Sequence, residues 1–198
     1  MIETDALPGA LRLVAGADVS YDRGSPALYA AVVVLDAESL EVVDVAHATT
    51  RAEFPYVPGY LSFRELPPLL AAFERLRLRP DLVLCDGHGR AHPRRFGLAC
   101  HFGVLVDLPT IGCAKSRLIG DYDEPAAERG SWSPLVDREE TIGAALRTQD
   151  GRNVVYVSTG HRISLASAIR VILACAPKYR LPEPQRLADR LSKQELVR

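Results

Sequence analysis

The apolar and polar positions divide the chain into a β-rich opening and a later part in which helices and strands alternate. Leu11 to Tyr21 is apolar with β-branched residues, Ala27 to Leu35 is a nearly continuous apolar run behind the Gly24-Ser25-Pro26 turn, and Leu40 to Thr49 alternates. These runs predict a three-stranded meander. Glu53 to Tyr60 is too rich in proline for regular structure. Leu66, Leu69, Leu70, Phe73 and Leu76 then recur at helical spacing, with Pro67 and Pro68 expected in the first turn and Pro80 beyond the end. Leu82 to Cys85 reads as a short buried strand, Arg94 to Leu105 as a helix, and Thr110 to Ala114 and Asn153 to Val157 as strands. Ser164 caps a last helix with Leu165, Ala168, Ile169, Ile172 and Leu173 on one face. Residues 120–151 leave room for two short strands and a helix.

A meander feeding right-handed β-α-β units predicts an α/β fold. The order is that of a ribonuclease H-like mixed sheet, an antiparallel meander plus parallel strands, with helices on both faces. At 198 residues the chain fits one domain, 1–198. Composition adds little: 47% hydrophobic and 25% charged residues are ordinary for a globular protein. No apolar run reaches the ~18 residues of a membrane span, and Met1 to Ala10 has no basic start of a secretory signal. Cys85, Cys100, Cys113 and Cys175 show no CxxC pairing and sit among aliphatic residues. They are expected to be buried free thiols in the cytoplasm. A net charge of −1 argues against a long basic nucleic-acid sleeve but leaves room for a local basic rim.

Two acids stand where acids are costly. Asp18 interrupts the apolar first strand, and Asp86 ends the buried run Leu82 to Cys85 just before Gly87. In the expected sheet the first and fourth strands are parallel neighbours, so the two carboxylates lie side by side and need a cation to remain ionised together. Glu65, at the expected entrance to the helix, is a candidate third carboxylate. Hard oxygen donors favour Mg²⁺, with Mn²⁺ as a substitute. The plainer alternative, in which Asp18 caps a backbone group and Asp86 opens a turn, stands about level with this reading on the residues alone.

Other groups are individually weaker. Asp86 to Arg95 contains two glycines, His88, His92, Arg90, Arg94 and Arg95 ahead of a helix start, which suits phosphate. With Lys115, Arg162, Lys178 and Arg180 they form a candidate basic rim, although solvated loop charges explain most such residues. Lys115 is placed to offset charge on a phosphate, and His161 to orient a water or a phosphate oxygen. Pro55, Tyr56, Val57 and Pro58 combine rigidity with a ring, as in wedges that unstack bases, or as in a tyrosine packed on the core.

Taken together these segments resemble the endonuclease V family. The resemblance is carried by Gly16-Ala17-Asp18-Val19-Ser20-Tyr21, by Pro55 to Glu65, by Asp86-Gly87-His88-Gly89 with Ala91 to Arg95, by Asp107 to Gly112 with Ala114-Lys115, by Thr159-Gly160-His161-Arg162 and by Tyr179 to Pro184. The family implies Mg²⁺-dependent hydrolysis of the second phosphodiester bond 3′ to hypoxanthine, leaving a 3′-hydroxyl and a 5′-phosphate, in DNA repair. It implies metal carboxylates at Asp18, Glu65 and Asp86, further catalytic groups at Lys115 and His161, and a strand wedge at Pro55 to Pro58. It also implies a base pocket at Gly59, Leu61, Gly97 and Leu98. His92, Arg94, Arg95 and Arg162 are expected phosphate contacts. The expected partner of this monomer is deoxyinosine-containing DNA, with inosine-containing RNA as the second candidate and no membrane. A structure-selective nuclease and a non-catalytic nucleic-acid-binding module are the rival readings. Family members usually carry an extra helix before the first strand, where about ten residues precede Leu11 here.

Overall fold

The computed structural model describes the chain apart from Pro8, Arg23, Tyr56, Pro58 and Arg198, and apart from the side chains of residues 195–197. Strands β1 (Leu13–Ser20), β2 (Ala27–Asp36) and β3 (Val42–Arg51) form the meander. Helix α1 (Leu61–Phe73), β4 (Leu82–Cys85), α2 (Leu98–Val106) and β5 (Thr110–Ala114) follow as β-α-β units. A hairpin of β6 (Trp132–Asp137) and β7 (Glu140–Leu146) precedes β8 (Val155–His161), α3 (Leu165–Cys175) and α4 (Glu183–Val197). The strands make one sheet in the order β3-β2-β1-β4-β5-β8-β7-β6. The meander is antiparallel and β1, β4 and β5 pair in parallel, as the pattern of apolar runs predicts; beyond β5, strands β8, β7 and β6 add antiparallel pairs.

The pleat sorts side chains to two cores. Val14, Val33, Leu82, Leu84 and Ile111 face α3 and α4, where they meet Ile169, Ile172 and Ala188. Ala15, Ala17, Val32, Val83 and Cys85 face α1 and α2, where they meet Leu66, Leu69, Leu98 and Phe102. All four cysteines are free and buried. Among the described residues no helix is long and apolar enough to cross a membrane.

Several boundaries differ from expectation. Helix α1 starts at Leu61, so Pro67 and Pro68 lie inside it rather than in its first turn. An interior proline costs about 3 kcal/mol; burial of Leu66, Leu69 and Ala72 against the sheet offsets this. Helix α2 starts at Leu98 rather than Arg94, because Arg95 takes a left-handed φ of 55° and the Gly97 N–H turns back to the Gly89 carbonyl at 2.9 Å. Residues 120–151 form the β6–β7 hairpin, with no helix there among the described residues. Helix α4 has no counterpart in the sequence reading.

Helix α4 owes its seat to Gly16. A Cβ at that position would lie 2.0 Å from the Pro184 carbonyl oxygen, so only glycine lets the helix start rest directly on β1. From there α4 runs along the strand: eight helical residues rise ~12 Å, and four strand residues advance ~13 Å. The match carries residue 192 level with Ser20, and the two hydroxyls meet at 2.7 Å. We expect Gly16→Ala to lower stability by ~1–3 kcal/mol, the usual cost of overpacking against backbone, and to weaken divalent-ion binding by displacing α4. Thermal unfolding and metal titration of the variant check this, and unchanged values in both would show that α4 is seated by other contacts.

Candidate active site

Parallel pairing builds the centre of the site. Ala17 pairs with Cys85, and the Asp86 N–H donates to the Ala17 carbonyl at 3.1 Å, so Asp18 and Asp86 stand next to each other at the carboxyl ends of β1 and β4. Both follow the pleat toward α4, which adds Asp189. One carboxylate oxygen from each of Asp18, Asp86 and Asp189 lies within 4.8 Å of the others. Glu65 approaches from α1, on the opposite layer, and is buried at 7% exposure.

Asp18 is 9% exposed. Burial and then the neighbouring Asp86 push its carboxyl from an ordinary 3.8 up to about 7, against the hydrogen bond from Ser192. Glu65 is also raised well above its ordinary value, by burial first and then by Asp18 and Asp86. Lys115 supplies the compensating charge: its Nζ donates to Asp86 at 2.6 Å and to Asp189 at 2.9 Å. Burial pulls the Lys115 ammonium down, but the two carboxylates more than offset that and hold its pKa above the usual lysine value. Asp189 also takes Lys193 at 2.7 Å. These cations and partners hold its carboxyl below the ordinary value despite burial. The three converging carboxylates, with Asp18 too buried to ionise cheaply, fit a divalent cation; Glu65 stands beside that group rather than within it.

Beside the cluster lies a cavity of roughly 320 Å³ whose wall contains Gly59, Leu61, Gly97 and Leu98 together with Asp86, Lys115 and His88. The four residues expected to form a base pocket therefore share one cavity. Gly97 has a more local duty than admitting a base. A Cβ there would sit 2.3 Å from the His88 carbonyl oxygen, so glycine lets the 88–89 loop close on the start of α2. Gly59 has a φ of 78°, which strains any residue with a Cβ. The His88 Nε2 lies 3.1 Å from the Ser116 carbonyl, which makes that nitrogen the donor, and burial drags the His88 pKa to about 4.

Other expected site residues are placed elsewhere. His161 pairs with Thr110 at the start of β5, whereas Lys115 follows that strand's far end beside Tyr156. The His161 ring takes the Ile2 N–H at 3.1 Å and faces Asp107, so it does not reach the carboxylates. Arg162 goes with it, paired to Asp107 at 2.7 Å. Arg95 is held by Asp137 and Glu140, and Arg90 by Glu3 and Glu140. Intramolecular acids thus hold three of the expected rim arginines. His92 is buried in the cavity wall, where its Nδ1 accepts from the Arg94 N–H at 3.2 Å. Arg94 is exposed, with its guanidinium 4.1 Å above the Tyr60 ring. Arg180 is spent on the backbone carbonyls of Lys115, Asn153 and Val154. In the wedge segment Pro55 is exposed and Val57 half-buried, while Tyr56 and Pro58 lie outside the described residues.

Asp189 is the residue that sequence reasoning missed. Leu187, Ala188 and Leu191, following Pro184, carry the apolar spacing of a helix start that would have exposed it.

A family model described as Endonuclease V matches residues 1–190. An Endonuclease V from Roseiflexus sp. (strain RS-1) is 58% identical over 184 residues, covering 93% of this chain and 82% of the relative. The crystal structure of the Endonuclease V from Streptomyces avermitilis superposes with a TM-score of 0.93 at 49% identity, covering 98% of this chain and 86% of that one. The Ciona intestinalis Endonuclease V, solved in complex with a 24mer DNA containing an inosine followed by a ribo-adenosine, superposes with a TM-score of 0.87 at 29% identity, covering 99% and 91%. With the family model spanning nearly its whole length, this chain belongs to the endonuclease V family and is an endonuclease.

Proposed function

We propose that the chain binds hypoxanthine in the Gly59–Leu98 cavity and hydrolyses the second phosphodiester bond 3′ to it in DNA, with Mg²⁺ as cofactor and Mn²⁺ as a substitute. One observation carries the reading: Asp86 and Lys115 belong both to the cavity wall and to the carboxylate cluster. A nucleotide with its base in the cavity therefore keeps its 3′ backbone near the acids. The Ciona relative, solved with inosine-containing DNA, supports the choice of ligand.

Asp18, Glu65, Asp86 and Asp189 would hold the ion. When bound, it supplies Lewis acidity, lowering the pKa of water and offsetting charge on the phosphoryl oxygens. Lys115 is positioned to transfer its ammonium from the carboxylates to the phosphate as negative charge develops. Base choice follows from the backbone. Leu61–Ser62 and Leu98 open two helices whose first N–H groups have no intrahelical acceptor. Those donors match the 6-oxo group of hypoxanthine and not the 6-amino group of adenine. Guanine shares the 6-oxo group, but its 2-amino donor is stranded in a closed wall at a cost of ~1–3 kcal/mol.

The reading is tested by nicking of an inosine-containing duplex in Mg²⁺. Asp86→Ala should lose more than about 100-fold in rate, since even partners of metal ligands typically contribute 10–100-fold, while circular dichroism stays native. Near-wild-type nicking by that variant refutes the cluster, and equal cleavage at inosine and guanosine refutes the base pocket. Ca²⁺ should support substrate binding with little cleavage, because its larger, irregular coordination positions the reactants poorly; equal rates in Ca²⁺ and Mg²⁺ contradict this.

Metal-free stability gives an independent check. The folded protein keeps a proton on Asp18 up to about pH 7, whereas the unfolded chain releases it near 3.8. The contribution of Asp18 is therefore fully present below pH 3.8 and is lost as pH rises toward 7. Asp18→Asn, which stays neutral, should gain in Tm over wild type across that window and hold a constant advantage above it. A Tm difference that does not change with pH counts against a strained Asp18.

A further inference from the structure

The carboxylate cluster is held from behind by two serines that neither the acids nor the cavity require. Ser192 is fully buried and Ser20 is 9% exposed. The Ser192 Oγ lies 2.6 Å from Asp18 Oδ2, 2.7 Å from the Ser20 Oγ and 3.1 Å from the Asp189 carbonyl. That hydroxyl has one proton for three neighbours. With Asp18 ionised, the state in which it would hold a cation, its carboxylate can only accept, and so can a carbonyl. The shorter, charge-assisted bond to Asp18 takes the proton, which leaves Ser20 as the donor to Ser192. The chain of donors thus runs Ser20 to Ser192 to Asp18, ending on one named oxygen.

We infer that Ser192 is a positioning residue for ion binding: by engaging Oδ2 it fixes the plane of the Asp18 carboxylate and leaves Oδ1 as the oxygen presented to the cluster. The inference rests on the metal reading given above. Asp18 and Ser20 stand two apart on β1 and so share the face that meets α4. Ser192 stands three residues after Asp189 on α4, one turn along the same helix. A single rigid helix therefore supplies one ion ligand and orients another. A structural explanation is available, since a helical serine often bonds the carbonyl three or four residues back. Here that bond is the longest of the three.

The test is calorimetric titration of Mn²⁺ into wild type, Ser192→Ala, Ser20→Ala and the double variant, with Tm measured for each. Ser192→Ala should bind Mn²⁺ about 10–100-fold more weakly, the usual effect of losing a partner of a metal ligand. Ser20→Ala keeps the donor to Asp18 and should stay within about threefold of wild type. The double variant separates positioning from packing. It removes the Ser20 hydroxyl that Ser192→Ala strands, so its Tm should recover relative to Ser192→Ala while its Mn²⁺ affinity stays low. Mn²⁺ affinity in Ser192→Ala within about threefold of wild type would overturn the inference, whatever its Tm. Recovery of both Tm and affinity in the double variant would also overturn it, by assigning the loss to packing. If wild type binds Mn²⁺ no better than Asp86→Ala does, the metal reading fails and this inference falls with it.

Discussion

The fold is organised around the cost of holding like charges together out of water. Asp18 and Glu65 are almost fully buried, Asp86 is their neighbour, and Asp189 closes the group from α4. Without compensation such a cluster would repel itself and lose solvation together. Three local devices lower that cost: the raised proton affinity of Asp18 and Glu65, the Lys115 ammonium between Asp86 and Asp189, and the hydroxyl that Ser192 gives to Asp18. Two are adjustable. A proton can leave, the ammonium sits on a flexible stem, and only the serine is locked in a core, which makes it the natural reference point for the geometry.

Much of the surrounding architecture serves to bring those acids to one place. Parallel pairing of β1 with β4 puts Asp18 beside Asp86 without any long side chain reaching across. The bare backbone at Gly16 lets α4 lie close enough for Asp189 and Ser192 to arrive from one side, while α1 delivers Glu65 from the other. The neighbouring cavity depends on the same economy of side chains. At Gly97 the loop after β4 packs directly on the start of α2, and at Gly59 the chain turns with positive φ. Cavity and cluster are thus two faces of one rigid junction.

The parts of this arrangement visible in the sequence were those where a residue contradicts its local context. Asp18 inside an apolar strand and Asp86 at the end of one are anomalous without reference to anything distant, and the order of apolar runs implies that they are neighbours. Glu65 stands out only as an acid near the expected helix entrance, and it lies one turn inside α1 instead, because tertiary packing keeps Pro67 and Pro68 in a helix interior. Asp189 was hidden because α4 is mostly polar and its apolar stripe is narrow. Arg95 and Arg162 looked free because their acid partners, Asp137, Glu140 and Asp107, are distant in sequence. His161 illustrates the same limit: its strand is where the pattern put it, yet antiparallel pairing with β5 carries it to the end of the sheet away from Lys115.

The central claim is that a divalent ion replaces the proton on Asp18, the carboxyl of the cluster that burial and Asp86 keep from ionising readily by itself. Counting protons released as Mn²⁺ is titrated at pH 6, from calorimetry in buffers of different ionisation enthalpy, tests it most directly. The account predicts measurable proton release per ion bound, declining as pH rises through about 7, where Asp18 gives up its proton unaided. Ion binding at pH 6 with no proton released would contradict it.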